Sequence, residues 1–187
     1  IAVGYANSDI YDVAAKYNDT LGDRWKTIFN IGYAVNNGNG GENIGASGSK
    51  VFQMQGGLMD VNTGLFGTIA YQKEDADNAT SGSGDDTNAL YFKLGIKKNW
   101  FGFGDSAFYG EYGTYNDQFG LGNADGISGS EIRRFGFSAE QNFNGALLIY
   151  GKFENLSLDV DGSAAAKALY DGAKDLNLFT LGFTYFF

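Results

Sequence analysis

The chain contains no cysteine, no proline and no histidine among its 187 residues. Without cysteine it can form neither disulfides nor thiolate metal sites. Without histidine it lacks the commonest general base near neutral pH, which excludes Ser-His-Asp and Cys-His catalysis within this chain. No carboxylates are spaced as a convincing acid–base pair either, so we expect no enzymatic activity. The absence of proline favours long strands, because proline cannot donate to a β ladder.

Positive charge and long apolar runs are also scarce. There are 13 Lys and Arg residues against 22 Asp and Glu, a net charge of −9, which argues against binding to nucleic acid. Hydrophobic residues make up 43% of the chain, yet no apolar run approaches the length of a membrane-spanning helix. No signal peptide is visible, since Ile1 already opens a strand-like segment. Either a leader has been removed or the chain lacks its true beginning.

Instead, apolar and polar residues alternate along the chain with a period of two, and this alternation predicts antiparallel strands. No linker or change of composition divides the chain, so we expect a single β domain over residues 1–187. The strands are predicted at 1–7, 10–18, 25–36, 50–59, 65–74, 89–99, 106–116, 131–142, 146–158 and 176–187.

The connections between these strands alternate in length. Short turns are predicted at 19–24, 60–64, 100–105 and 143–145, and long loops at 37–49, 75–88, 117–130 and 159–175. The connection near Ser8 is short where a long one is due. Such alternation is typical of outer-membrane barrels. One short helix is predicted in the last loop, from Ala164 to Asp171.

In two hairpins the sequence predicts the register, that is, which residues of the two strands are directly opposite each other. In the first, pairing positions that sum to 204 sets Lys93 against Glu111, an opposite-charge pair. In the second, a sum of 288 sets Arg134 against Glu154. Both registers collect apolar side chains on one face and charged side chains on the other.

Alternation alone also fits a soluble β-sandwich. Two observations favour a membrane barrel over the sandwich. Charged and amide side chains alternate with small residues on the polar side, as they would in a hydrated interior. Aromatic residues also cluster at the strand ends, as interfacial girdles require. Further aromatics, Tyr33, Tyr71 and Tyr115, lie near the long loops. The predicted girdle at the short turns comprises Tyr17, Trp25, Trp100, Phe101, Phe103 and Phe143.

The last ten residues, LFTLGFTYFF, end the chain on an alternating strand. Large apolar residues are predicted to project to one side, and threonine and glycine to the other. The apolar set comprises Phe179, Leu181, Phe183, Tyr185 and Phe187.

With this terminal strand, the strand rhythm and stretches such as GLMDVNTGLFGTIAYQKED and YFKLGIKKNWFGFGDSAFYGEYGTYND, the chain resembles the C-terminal portion of a Gram-negative general porin. The resemblance implies an all-β antiparallel transmembrane β-barrel in the outer membrane, a homotrimer, and contact with the bilayer and lipopolysaccharide. It also implies that the terminal strand is the signal for the barrel assembly machinery. General porins have sixteen strands. Either this chain lacks about six N-terminal strands, or it is a small ten-stranded barrel.

The function that the resemblance implies is passive diffusion of small hydrophilic solutes and ions through a water-filled channel. The alternative is a structural or adhesive ten-stranded barrel without an open pore. For each candidate residue, an ordinary cross-strand role is the competing interpretation. The predicted pore-lining residues are Lys93, Glu111, Arg134, Lys152, Glu154, Tyr109, Tyr150, Gln53 and Gln55.

We expect no cofactor. An acidic loop carries Asp75, Asp77, Asp85 and Asp86, whose oxygens are of the kind that bind Ca²⁺ or Mg²⁺. The loop lacks the ligand spacing of an EF-hand, so solvated acidic side chains are the competing interpretation.

Overall fold

Ten β strands follow one another in the described part of the chain, and one short helix, α1, interrupts them at Ala164–Tyr170. The computed structural model describes residues 1–6, 10–37, 49–76, 86–117, 126–170 and 175–186. The strands are β1 Ala2–Ala6, β2 Ile10–Leu21, β3 Trp25–Asn36, β4 Ser49–Asp60, β5 Leu65–Ala76, β6 Asp86–Lys98, β7 Ser106–Asn116, β8 Ile127–Phe143, β9 Leu147–Gly162 and β10 Leu176–Tyr185.

All ten predicted strands are confirmed. The largest differences from the predicted bounds are at β8 and β9. Strand β8 begins four residues earlier than predicted, at Ile127, and β9 ends four residues later, at Gly162. The helix is confirmed up to Tyr170, and Asp171 lies outside the described residues.

The strands form a single antiparallel sheet in which spatial order equals chain order, from β1 to β10. Each strand therefore pairs only with its neighbours in sequence. Strands β1 and β10 are the two edges, and no pairing joins them within the described ranges. The prediction of an all-β, antiparallel protein is confirmed at this level. Among the residues described, no helix is both long and apolar enough to cross a membrane.

The connections between strands are of two kinds and, with one exception, each kind lies at one end of the strands. We call these two ends of the strands the short-turn edge and the long-loop edge. At the short-turn edge, the strands are joined by residues 22–24, 61–64, 99–105 and 144–146. At the long-loop edge, the connections span 37–48, 77–85, 117–126 and 163–175, and β1 and β2 are joined there by the expected short connection, 7–9. The predicted alternation of short and long connections is thus confirmed.

Because paired residues of neighbouring strands project to the same side, the register divides the sheet into two faces. The apolar face carries Leu94, Phe137 and Phe153, and Phe137 and Phe153 are direct partners. The polar face carries Lys93 and Glu111, which are also partners. The division is not absolute, since apolar side chains such as Phe66 also lie on the polar face.

The sheet encloses very little core. The buried hydrophobic residues of the described part of the chain are Val35, Ala107, Ile127, Val160 and Ala166. Meanwhile large side chains of the apolar face stay accessible, such as Leu94 at 72%. The accessible surface of 11718 Å² exceeds the roughly 8,700 Å² expected for an ordinary folded monomer of this mass. The hydrophobic residues of this chain therefore face outward rather than into an interior.

Helix α1 covers part of the polar face at the long-loop edge. Ser163 caps it, because the Ser163 hydroxyl accepts a hydrogen bond of 3.1 Å from the N–H of Ala166. Ala166 packs with Ile127 and Val160 in the small buried cluster. Val160 lies on the same side of β9 as Lys152, since an even number of residues separates them. The helix is thus anchored above the polar face.

The two hairpin registers have different outcomes. The sum of 204 is confirmed between β6 and β7, where Lys93 is opposite Glu111. The sum of 288 between β8 and β9 is wrong: the sum is 290, so Gly136 is opposite Glu154. The cause is the Asn144-Gly145 turn, in which both residues take positive φ and which places Phe143 opposite Leu147. A shift of two keeps every side chain on its predicted face.

We predict that Gly104→Ala destabilises the sheet more than Gly102→Ala. Both glycines have positive φ, of 121° and 82°, so each substitution strains the backbone by roughly 1 kcal/mol. Only at Gly104 does a new Cβ also collide with backbone, at the carbonyl oxygen of Asn142. Denaturant unfolding followed by tryptophan fluorescence compares them, and equal losses of unfolding free energy would contradict the packing argument.

Candidate functional site on the polar face

A buried carboxylate, Glu111 on β7, is the centre of the polar face. One oxygen, Oε1, lies 2.6 Å from Nη2 of Arg134 and 2.6 Å from Nζ of Lys152. The other, Oε2, accepts a hydrogen bond of 2.6 Å from the hydroxyl of Tyr91. The Glu111 side chain is 1% exposed, whereas those of Arg134 and Lys152 are about a quarter exposed. A single carboxylate is therefore held by donors from three strands.

The space for this carboxylate comes from Gly136, which is the residue opposite Glu111 on β8. A Cβ at Gly136 would lie 3.0 Å from Glu111 Oε1 and 3.1 Å from Glu111 Cγ. Arg134 and Lys152 lie in the rows on either side of Gly136, so their long side chains reach into the gap. Glycine at this point allows two cations to converge on one carboxylate.

A second carboxylate, Glu154 on β9, closes the network. Its Oε1 lies 2.7 Å from Nε of Arg134 and 3.2 Å from Nζ of Lys152. The two cations and two carboxylates balance in charge and connect β7, β8 and β9, and Tyr91 adds β6. Arg134 and Glu154 do form the predicted ion pair, but along a diagonal rather than as direct partners.

Lys93 is a direct neighbour of Glu111 but does not form the expected ion pair with it within the described residues. Its ammonium lies over the ring of Tyr109, 4.2 Å from the centroid, and 6.0 Å from that of Tyr91. The Tyr109 hydroxyl donates a hydrogen bond of 2.6 Å to Glu140. Lys93 is therefore a cation held by aromatic faces at the border of the charged network.

Neutral amides occupy another part of the polar face, on β3, β4 and β5. Nε2 of Gln53 donates to Oε1 of Gln72 at 3.0 Å, and Nδ2 of Asn30 donates to Oε1 of Gln55 at 3.3 Å. Tyr150, the remaining predicted residue, lies on the polar face of β9 across Gly182 of β10, where its ring fills the space left by the glycine.

The sheet therefore brings five of the nine predicted wall residues into one region around Glu111 and leaves Gln53 and Gln55 apart from it, while Tyr150, opposite Glu140, lies at its border. The five are Lys93, Glu111, Arg134, Lys152 and Glu154, with Tyr109 adjoining them. Sequence reasoning missed Tyr91, Gly136 and Glu140. Tyr91 was visible as a member of the polar alternation on β6, but the role of Gly136 depends on the exact register of β8.

Aromatic side chains cluster at the short-turn edge. Phe103 stacks on Phe101 and on Phe143, with ring centroids 5.7 Å and 5.4 Å apart. Trp100 packs on Phe108 at 5.6 Å. Trp25 ends another turn at the same edge, and the Arg24 guanidinium lies 4.8 Å from its ring. In that turn, the hydrogen bond to Asp60 raises the pKa of Arg24 above its usual value.

Other predicted aromatics lie elsewhere. Tyr17 lies on the apolar face opposite Phe29, four residues before the end of β2. Near the long loops, Tyr33 and Tyr71 are on the apolar face, but Tyr115 is on the polar face because it shares the side of Glu111 on β7. Tyr115 therefore does not share a face with Tyr33 and Tyr71.

The last strand has the expected alternation. Phe179, Leu181, Phe183 and Tyr185 project together, and all four are exposed. Phe179 is the direct partner of Phe153, which places the set on the apolar face. Phe187 lies outside the described residues. The backbone N–H of Phe186 still donates to the carbonyl of Ala146, so pairing with the neighbouring hairpin continues to the short-turn edge.

The acidic loop gives little support for a metal site. Asp75 pairs with Lys73, with 2.8 Å between Oδ1 and Nζ. Asp77 and Asp85 lie outside the described residues, and the side chain of Asp86 is not described. Within the described part of the chain, no three acidic side chains come together as metal ligands.

Comparison with known proteins returns no match: no family model fits the chain, and no curated protein or solved structure is significantly similar to it.

We predict that Glu111→Ala lowers the free energy of unfolding by about 2–4 kcal/mol, because it leaves two cations and a tyrosine hydroxyl without their shared partner. The control is Glu131→Ala, which removes a more exposed carboxylate bound to Arg133 and should cost at most about 1 kcal/mol. Denaturant titration of both variants tests this. A loss for Glu111→Ala no larger than the control's would show that the network is not stabilising.

Proposed function

We propose that the chain forms the wall of an outer-membrane porin, a water-filled channel for passive diffusion of small hydrophilic solutes and ions. The observation that carries the proposal is a sheet with two chemically opposite faces and almost no core. An apolar face that stays exposed across many strands needs an apolar environment, because water opposes its exposure by about 25 cal/mol per Å².

The dimensions of the strands support a bilayer as that environment. Strands β2 to β5 have 12 residues each, and β6 and β7 have 13 and 11. A tilted strand needs roughly 9–11 residues to cross the hydrocarbon layer. The aromatic cluster at the short-turn edge suits the headgroup region of one leaflet. By the same scheme, the short-turn edge is periplasmic and the long loops are external.

A bilayer would impose closure on the sheet. Every strand edge must be paired in hydrocarbon, so β1 and β10 require partners. In the proposal they belong to one barrel, joined directly or through further strands as in a sixteen-stranded porin. The homotrimer, the contact with lipopolysaccharide, and recognition of β10 by the barrel assembly machinery belong to the same proposal, and no catalytic step is assigned.

The polar face would line the channel. Fixed charges and hydrogen-bonding groups on a channel wall set selectivity through the local field. Because Arg134 and Lys152 are balanced by Glu111 and Glu154, their field largely cancels beyond a few ångströms. The Lys93 ammonium lies over a tyrosine ring rather than against a carboxylate oxygen, so its electric field acts on passing ions more strongly than the fields of Arg134 and Lys152 do.

We predict that Leu94→Arg destabilises the protein in lipid by about 2–4 kcal/mol, the cost of arginine on a lipid face near the bilayer midplane. Leu94 is 72% exposed, so the same change in a water-soluble sheet should be nearly neutral. Gln55→Arg, on the polar face, is the matched control and should cost little. Unfolding titrations in lipid vesicles decide this, and a neutral Leu94→Arg would rule out a lipid-facing surface.

We also predict that Lys93→Gln raises the cation-to-anion permeability ratio. One charge about 10 Å from the ion path is worth about 0.4 kcal/mol in water, about twofold for each ion and in opposite directions, so the ratio changes by up to about fourfold before screening. Reversal potentials in planar bilayers under a salt gradient measure it. Lys73→Gln, which removes a cation from the other face, should leave the ratio unchanged.

Two outcomes of that experiment count against the proposal. A folded, membrane-inserted protein that passes no current would favour the structural barrel without an open pore. An equal shift for Lys73→Gln and Lys93→Gln would mean that the polar face does not line the path.

A further inference from the structure

A cluster of four carboxamides on the polar face is separate from the charged network. Asn30 on β3 pairs with Gln55 on β4, and Gln53 on β4 pairs with Gln72 on β5. Gln53 and Gln55 are two residues apart, so the two pairs lie in successive rows on the same side of the sheet. We call Asn30, Gln53, Gln55 and Gln72 the amide cluster.

The amide cluster lines a cavity of about 570 Å³. Its floor is made of small residues. Gly32, Ala70 and Ala89 are the direct cross-strand partners of the three glutamines, and Ala14 is the partner of Gly32. Small neighbours leave the space above the sheet open. Sites for small molecules commonly measure about 300–1,000 Å³, so this space is large enough for one or two sugar rings.

Each amide pair keeps hydrogen-bonding capacity after its internal bond. A carboxamide carries two N–H donors and one carbonyl acceptor. One bond within a pair uses a single donor and a single acceptor, so a carbonyl oxygen and N–H groups remain whichever way the amides are oriented. Such adjacent donors and acceptors complement vicinal hydroxyls, because each hydroxyl both donates and accepts.

The charges around the cavity argue against an ionic ligand. Among the described residues that line it, Lys16 carries the one charged side chain. The carboxylates and other cations of the polar face belong to β6–β9, around Glu111. Tyr91 separates the two regions, since it lines the cavity while its hydroxyl is held by Glu111.

From this placement we propose that the amide cluster is a subsite for neutral polyhydroxylated solutes of monosaccharide to disaccharide size. It rests on the proposed function in one respect, that the polar face lines an aqueous path. The subsite would retain a neutral sugar by hydrogen bonds that desolvate no charge, while ions pass along the charged network.

The test uses sucrose and a polyethylene glycol of equal hydrodynamic size in planar bilayers. Both obstruct the channel by volume, but only sucrose offers vicinal hydroxyls. We expect sucrose to interrupt the single-channel current for longer. Gln53→Leu/Gln72→Leu should shorten these interruptions by about fivefold or more, the effect of losing roughly one net hydrogen bond.

The matched control is Asn88→Leu/Asn116→Leu. These residues form a cross-strand amide pair at 2.8 Å, but on the apolar face near the long loops. The control variant should keep the long sucrose interruptions. Equal interruptions by sucrose and the glycol in the unsubstituted protein would overturn the inference, as would unchanged interruptions in Gln53→Leu/Gln72→Leu. A stronger response to a neutral dipeptide amide than to sucrose would overturn the assignment to polyols.

A protein that passes no current would refute the channel but not the subsite. Saturation-transfer NMR on the detergent-folded protein then decides. Transfer to sucrose that is abolished by Gln53→Leu/Gln72→Leu supports the subsite, and absence of transfer in the unsubstituted protein overturns it. Circular dichroism confirms that each variant is folded, which is expected because Gln53 is an exposed residue.

Discussion

The hydrogen-bonded register between neighbouring strands is the constraint on which the rest of the structure depends. Partners across a ladder project to the same side of the sheet. The register between two strands therefore decides which residues of the second strand lie on each face. Ten strands in chain order thus share one apolar and one polar face. A slip of one residue in any pair would reverse the faces of every strand beyond it.

The charged network reinforces this register in the middle of the sheet. Tyr91, Glu111, Arg134 and Lys152 come from four consecutive strands and meet around one carboxylate. Their contacts require particular rows to be neighbours, and they require an empty position at Gly136. A buried charge is costly unless it is fully paired, so the network disfavours alternative alignments of β6 to β9 more than an apolar contact would.

Period and turn chemistry were enough to predict the strands, their order and both faces, because those properties depend on the alternation of residue types. The exact register of β8 and β9 was not predictable at that level. It depends on the backbone conformation of Asn144 and Gly145 in the turn, and a two-residue shift in register leaves each side chain on the same face. The contacts of Glu111 with Arg134 and Lys152 depend on the registers of β7, β8 and β9. The correctly predicted β6–β7 register does set Lys93 opposite Glu111, but the Lys93 ammonium lies over a tyrosine ring instead.

Tyr115 illustrates a second limit of sequence reasoning. Its position near a loop groups it with Tyr33 and Tyr71, while the parity of the residue along β7 decides which face it occupies. Parity is available in the sequence once one reference residue on the strand, such as Glu111, has been assigned to a face. Proximity to a loop alone does not predict the face of an aromatic residue.

The chain-order topology has a consequence for how such a sheet can grow and assemble. Within the described residues each strand pairs only with its immediate sequence neighbours, so the contacts between strands join consecutive strands. Local pairings form faster than distant ones, because less chain must be ordered before a contact is made. A gene that duplicated or lost one hairpin would change the width of the sheet by two strands and leave the remaining ladders intact. The architecture is in that sense modular, with the pair of strands as its unit of change.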